Sequence, residues 1–193
     1  MNGVLLKPSD YYSQRNNTVK PLAACMATAR VMWLLANGIT FRSPLGKQPE
    51  DYFMELLNSE EAIEFCRAKY PWSEGIPPNE VHGMYGSWLD ERVTGKRRSN
   101  FLTNLSWDSY LCYLDNGHAI MTAGAFPTTD GHAVVAIGIR EDRTALRLAD
   151  PYGDWRTDYT DEHGYDVPLL RADFDRFISG DGSGKWGHVP WTD

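Results

Sequence analysis

The chain has 193 residues, 42% hydrophobic and 23% charged, which is ordinary globular usage: it excludes wholesale disorder and suits one domain with a sizeable core. Nineteen basic against 26 acidic residues give a net charge of −7, which opposes general affinity for nucleic acid or anionic membranes. No apolar run reaches the roughly 18 residues of a membrane-spanning helix, and the apolar part of "MNGVLLKPSDYY" is too short for a secretory signal.

Residues 1–24 read as extended or looped. From about Cys25, apolar positions at Met26, Ala29, Val31, Met32, Trp33 and Leu35 mark roughly one helical face, which ends where Asn37 and Gly38 supply a stop. "PEDYFMELLNS" and "SEEAIEFCRAKY" predict two helices, the first opened by Pro49 and the second by Ser59 with an acidic first turn. Cys66 shares a face with Ala62 and Ile63 and reads as core.

"YPWSEGIPPNEV" is a loop, and "NEVHGMYGSWLDERVTG" has helical spacing at Val81, Met84, Tyr85, Trp88 and Leu89, with His82 as a polar or capping residue near its start. "GKRRSN" at 95–100 is short enough to be a solvated loop after that helix. Ser106 and Gly117 bracket a further helix, with Leu111, Cys112 and Leu114 expected to point inward. Three short apolar runs follow: "HAIMTAGAF", "GHAVVAIGIRED" and "TALRLADPYG". They predict an antiparallel sheet, after which "LRADFDRFISG" reads as a last helix and "KWGHVPW" closes the chain.

Helices first and sheet afterwards is the α+β pattern. The expected organisation is one domain over 1–193, with a helical half to about 117 and a sheet half from about 118.

Cys25, Cys66 and Cys112 are an odd number, widely spaced, which excludes a disulfide framework and the close spacings of structural zinc sites. Asp150, Asp154, Asp158 and Asp161 crowd one loop without the alternating acidic positions of an EF-hand, so a solvated turn is expected there. Tyr152, Trp155, Tyr159, Trp186 and Trp191 are expected to cover the sheet or line a substrate cleft, with packing the commoner use. No metal or cofactor is expected.

The residues with chemistry to offer are four. Cys25 falls at a helix N-terminus, where unpartnered N–H groups and the dipole stabilise a thiolate. Free cysteine is also one of the most buried residue types, so this position alone leaves a core reading open. His132 opens a buried strand, at what is expected to be the sheet edge, and Asp150 ends the next strand. If the two strands pair through the 141–144 turn, imidazole and carboxylate come to the same end of the ladder. A cysteine nucleophile needs that set: a histidine to exchange the thiol proton and a third group to orient it. Gln14, upstream of Cys25, can aim an amide N–H at an oxyanion, together with the Cys25 backbone N–H.

With these residues in place, "SQRNN", "P...C.AT" and the following Met32, "GHAVVAIGI" and "LADPYGD" resemble the papain-like cysteine peptidases related to bacteriocin leader-processing (double-glycine leader) peptidases. The resemblance covers three separated motifs and implies a papain-like fold, with the nucleophile on a helix packed against an antiparallel sheet. It implies Cys25 as nucleophile, His132 as general base and acid, Asp150 as its orienter and Gln14 as oxyanion donor. The chain departs from the pattern at Met26, which follows the cysteine, and nothing in it resembles the transporter to which leader peptidases are fused.

The expected activity is hydrolysis of an amide in a peptide, a protein or a peptidoglycan stem peptide, without nucleic acid or membrane span. Transglutaminase-like acyl transfer and a catalytically silent binding module on the same fold are the alternatives. The expected setting is the cytoplasm, or a phage-encoded protein released by lysis or packaged in the virion.

Overall fold

The structure, a computed structural model, describes residues 3–69, 71, 82–128, 131–178, 180–181 and 184–191. After three short 3-10 turns, Pro8–Asp10, Gln14–Asn16 and Pro21–Ala23, helix α1 runs over Cys25–Ala36. Its interior has neither Gly nor Pro, and Gly38 at φ 66° follows its end. The expected single apolar face understates its burial: residues 26–34 are all buried, including Thr28 and Arg30. A helix buried all round is a central one.

Helices α2 (Pro49–Leu57), α3 (Glu60–Lys69) and α4 (His82–Thr94) follow. Pro49 opens α2, and the Ala62 N–H donates to the Ser59 hydroxyl at the start of α3, as their sequences suggest. Most of the expected loop around 70–81 lies outside the described residues, as does Val81.

Strand β1 (Ser99–Leu105) comes next, within the segment expected to be helical and looped, and corrects the division near 117. It pairs with β7 (Gly184–Pro190), so one sheet draws on both parts of the chain. The basic loop ends at Arg98. Helix α5 (Trp107–Asp115) begins with a capping box between Ser106 and Ser109. Trp107, Tyr110, Leu111 and Leu114 form its buried stripe. Cys112 lies off that stripe and is exposed, which overturns its assignment to the core, whereas Cys66 is fully buried.

Strands β2 (Ile120–Gly124), β3 (His132–Ile139) and β4 (Ala145–Ala149) form the expected antiparallel meander. Strand β5 (Tyr165–Leu170), helix α6 (Arg171–Phe177) and the short β6 (Gly180–Asp181) complete the elements. The order among the described residues is β1-β7-β2-β3-β4-β5, with β6 on β7. β3 is therefore an interior strand, and His132 stands at its beginning instead of on a sheet edge.

Helices cover both sheet faces. Ala133, Val135 and Ile137 of β3 join the core built with α1 and α2, while Val134 and Ala136 join the core built with α5 and α6. This alternation is the period of two of a strand buried on both sides, and it explains why β3 reads as an unbroken apolar run. The result is a mixed helix and antiparallel sheet architecture, an α+β papain-like fold.

Arg30 ties the layers together. Its Nε and Nη2 donate to Asp90 of α4 at 3.0 and 2.6 Å, and Nη2 also donates to Ser99 Oγ of β1 at 2.6 Å. Both charges are fully buried. Removing one partner of such a pair strands the other charge, at a cost of about 3–5 kcal/mol. Arg30 thus fixes how α1, and with it Cys25, sits against α4 and β1.

Candidate active site

Cys25 is the first residue of α1, half-buried, and the residue before it is Ala24, which has no side-chain oxygen to cap the helix. The first-turn N–H groups are therefore not consumed by a cap and remain open to a negative charge on sulfur. Burial pushes the Cys25 thiol up, but a hydrogen bond with His132, its positive charge and the N–H groups of Ala133 and Met26 outweigh it, and the thiol is lowered.

The β3–β4 register brings His132 and Asp150 together. Val135 faces Ala149 and Ala136 faces Leu148, so one step further places Asp150 across from Val134, two residues from His132. A bulge between Ala136 and Gly138 sets this register. His132 Nε2 lies 2.6 Å from Asp150 Oδ1, and both side chains are buried. With Nε2 committed to the carboxylate, Nδ1 is the nitrogen left for the thiol.

Burial alone would push His132 down. The Asp150 carboxylate, by charge and hydrogen bond, and Cys25 by the same two means, instead raise it from 6.5 to about 10. The two shifts point the same way, towards a thiolate beside an imidazolium near neutral pH.

Asp150 begins a loop that the fold holds closely. Its Oδ1 also accepts the Tyr152 N–H at 2.9 Å, Oδ2 accepts the Tyr159 hydroxyl at 3.3 Å, and its N–H donates to Gly164 O at 2.8 Å. The rings of Phe126, Tyr152 and Tyr159 meet the His132 ring edge to face, with centroids 6.0, 6.1 and 5.7 Å away. In the same loop Gly153 has a φ of 133°, and a Cβ there would stand 2.4 Å from Asp161 O. Of the other acidic residues, Asp154 pairs with Arg156 and Asp161 accepts the His163 N–H. Among the described residues, no group of three or more His, Cys, Asp or Glu is arranged to hold a metal.

Gln14 lies on the second 3-10 turn and is buried. Its Nε2 donates to Pro21 O at 2.8 Å, just ahead of Cys25, and a primary amide retains a second hydrogen to give. The segment carrying it is strapped to the Asp150 loop. Gln14 N donates to Pro151 O at 2.8 Å, the Tyr11 hydroxyl to Asp150 O at 2.9 Å and Arg15 Nε to Tyr152 O at 2.7 Å. The Arg15 guanidinium also lies over the Tyr152 ring, 3.9 Å from its centroid.

The structure thus brings Cys25, His132 and Asp150 together and sets Gln14 on the same framework. Tyr11 and Arg15 escaped the sequence reading as parts of the site, whereas Tyr152 and Tyr159 are among the aromatics expected to pack or to line a cleft.

The model of the Peptidase_C39 like family matches residues 7–174. The chain belongs to this family. The span matched by the C39-like family begins ahead of Gln14 and extends past Asp150, so all four residues lie within it. Among solved structures, a candidate C39-like peptidase from Bacillus anthracis is similar at a TM-score of 0.60, covering 99% of this chain and 98% of that one at 12% identity. At that identity the likeness is one of fold. A comparison with curated proteins gives no match. Membership of a C39-like peptidase family supports a cysteine peptidase-like function.

Proposed function

We propose that the protein hydrolyses an amide bond in a peptide, protein or peptidoglycan peptide through a thioester on Cys25, with His132 as acid and base, Asp150 as its orienter and Gln14 as oxyanion donor. The observation that carries this reading is the 2.6 Å contact of His132 Nε2 with Asp150 Oδ1, on an imidazole that also engages the thiol of Cys25.

The Cys25 thiolate attacks the carbonyl carbon, and the carbonyl π pair moves to oxygen. The oxyanion accepts N–H groups from the Cys25 backbone and the Gln14 amide, donors that matter most where charge develops. Collapse breaks the C–N bond, and the leaving nitrogen takes the proton from the His132 imidazolium. Neutral His132 then accepts a proton from water as it attacks the thioester. The acid is released, and the thiolate and imidazolium return. Asp150 accepts a hydrogen bond from Nε2–H throughout, keeping the ring in the tautomer and orientation that face sulfur.

The test is incubation with a mixed peptide library and with peptidoglycan fragments, each with and without an added primary amine, using Cys25→Ala and Asp150→Asn as controls. New amino termini without amine incorporation, lost in Cys25→Ala and reduced by about 100-fold or more in Asp150→Asn, are expected. Amine-dependent product would make the protein an acyl transferase instead. Ligand retained without product by protein with reduced Cys25 would make it a binding module.

A further inference from the structure

We infer that Tyr159 is a positioning residue for the imidazole and thiol, acting through the Asp150 carboxylate; this rests on the function proposed above. Asp150 Oδ1 takes the His132 Nε2 and Tyr152 N–H contacts, both on one oxygen. Turning the carboxylate about Cβ–Cγ would carry both oxygens off their donors. The two contacts on Oδ1 resist it, and among the described residues the Tyr159 hydroxyl, 3.3 Å from Oδ2, adds the restraint on the second oxygen.

The same side chain touches the group that Asp150 serves. The buried Tyr159 ring meets His132 at 5.7 Å and Tyr152 at 4.9 Å, both edge to face. Its backbone adopts φ 60°, an unfavourable region for a bulky residue, and is held there from two sides. Tyr159 N donates to Asp154 O at 3.2 Å, and Arg15 Nη2 donates to Tyr159 O at 3.0 Å. Burial and the charge of Asp150 push the phenol far above its ordinary value, so it remains a donor over the whole working pH range. An oxygen–oxygen separation of 3.3 Å is longer than the usual 2.7–2.8 Å, and the expected effect is accordingly moderate.

Tyr159→Phe removes one oxygen and keeps the ring, its packing and its backbone requirement. Iodoacetamide alkylation of Cys25, followed against pH by peptide mass mapping, is measured in the full-length wild type, Tyr159→Phe, Asp150→Ala and the double variant, with circular dichroism confirming the fold. Tyr159→Phe is expected to raise the alkylation midpoint and slow labelling near pH 6 by about 3- to 10-fold, and to add nothing in the Asp150→Ala background. A folded Tyr159→Phe with an unchanged midpoint, or equal effects in both backgrounds, would overturn the inference. Unfolding of Tyr159→Phe would do so too, by assigning the hydroxyl to stability. His132→Ala in the same assay separates the two levels: if it leaves the wild-type midpoint unmoved, the proposed function fails, whereas a shift there with none in Tyr159→Phe removes only the role of Tyr159.

Discussion

The carbonyl oxygen of Asp150 and the α-carbon of Gly164 are so close that a Cβ on residue 164 would stand 1.9 Å from that oxygen. The Asp150 N–H donates to the Gly164 carbonyl at 2.8 Å, so the approach belongs to the pairing that seats the carboxylate at the end of β4. Backbone cannot swing aside as a flexible side chain can. Gly164→Ala should therefore displace Asp150 and cost about 1–3 kcal/mol or more, the range of overpacking. Urea denaturation checks the cost, and slower Cys25 alkylation at low pH checks the displacement; wild-type values in both would contradict the argument.

In the proposed mechanism Gln14 binds the oxyanion without activating the thiol. Its amide would then serve only when negative charge develops on the substrate oxygen, so Gln14→Ala should lower kcat by about 100- to 1,000-fold. The Cys25 alkylation profile should stay near that of the wild type, because iodoacetamide reacts without forming an oxyanion. The paired measurements check this. A lost alkylation profile with the fold intact would show that Gln14 acts on the thiol instead.

The pairing of His132 with Asp150 predicts a pH-dependent stability. A group whose folded pKa is raised contributes stability fully present below its unfolded value and lost as pH rises through the folded one. For His132 the window opens near 6.5 and closes near 10. Cys25, lowered on folding, acts in the opposite sense, so the comparison belongs in a Cys25→Ala background. There, with the share of the shift that Cys25 supplies gone, the window closes below 10, and the stability lost on adding His132→Gln should be largest at pH 6 and shrink as pH rises. Chemical denaturation at several pH values measures it; a loss that grows with pH would contradict the pairing.

Much of this site was legible in the sequence for local reasons. The helix start at Cys25, the strand start at His132 and the strand end at Asp150 each follow from periodicity and turn residues, and a short hairpin brings the last two together. What escaped depends on distant pairing. β1 has exposed polar residues within it and becomes a strand through β7, and β5 carries Pro168 in an edge strand. The outward turn of Cys112 was available from the stripe of Trp107, Tyr110, Leu111 and Leu114, but its apolar character suggested core. Tyr159 reaches Asp150 only because the loop doubles back at Asp158 and Tyr159, both at positive φ, which no apolar pattern signals.

The most direct test of the account is the rate of iodoacetamide alkylation at each cysteine against pH, resolved by peptide mass mapping, in wild type and His132→Ala. Exposed Cys112 reports access of the reagent, and buried Cys66 reports unfolding. The account predicts that Cys25 reacts with a midpoint well below the ordinary thiol value of about 8.5, and that His132→Ala moves this midpoint upward while leaving Cys112 unchanged. A Cys25 midpoint at the ordinary value, or one indifferent to His132, would contradict it.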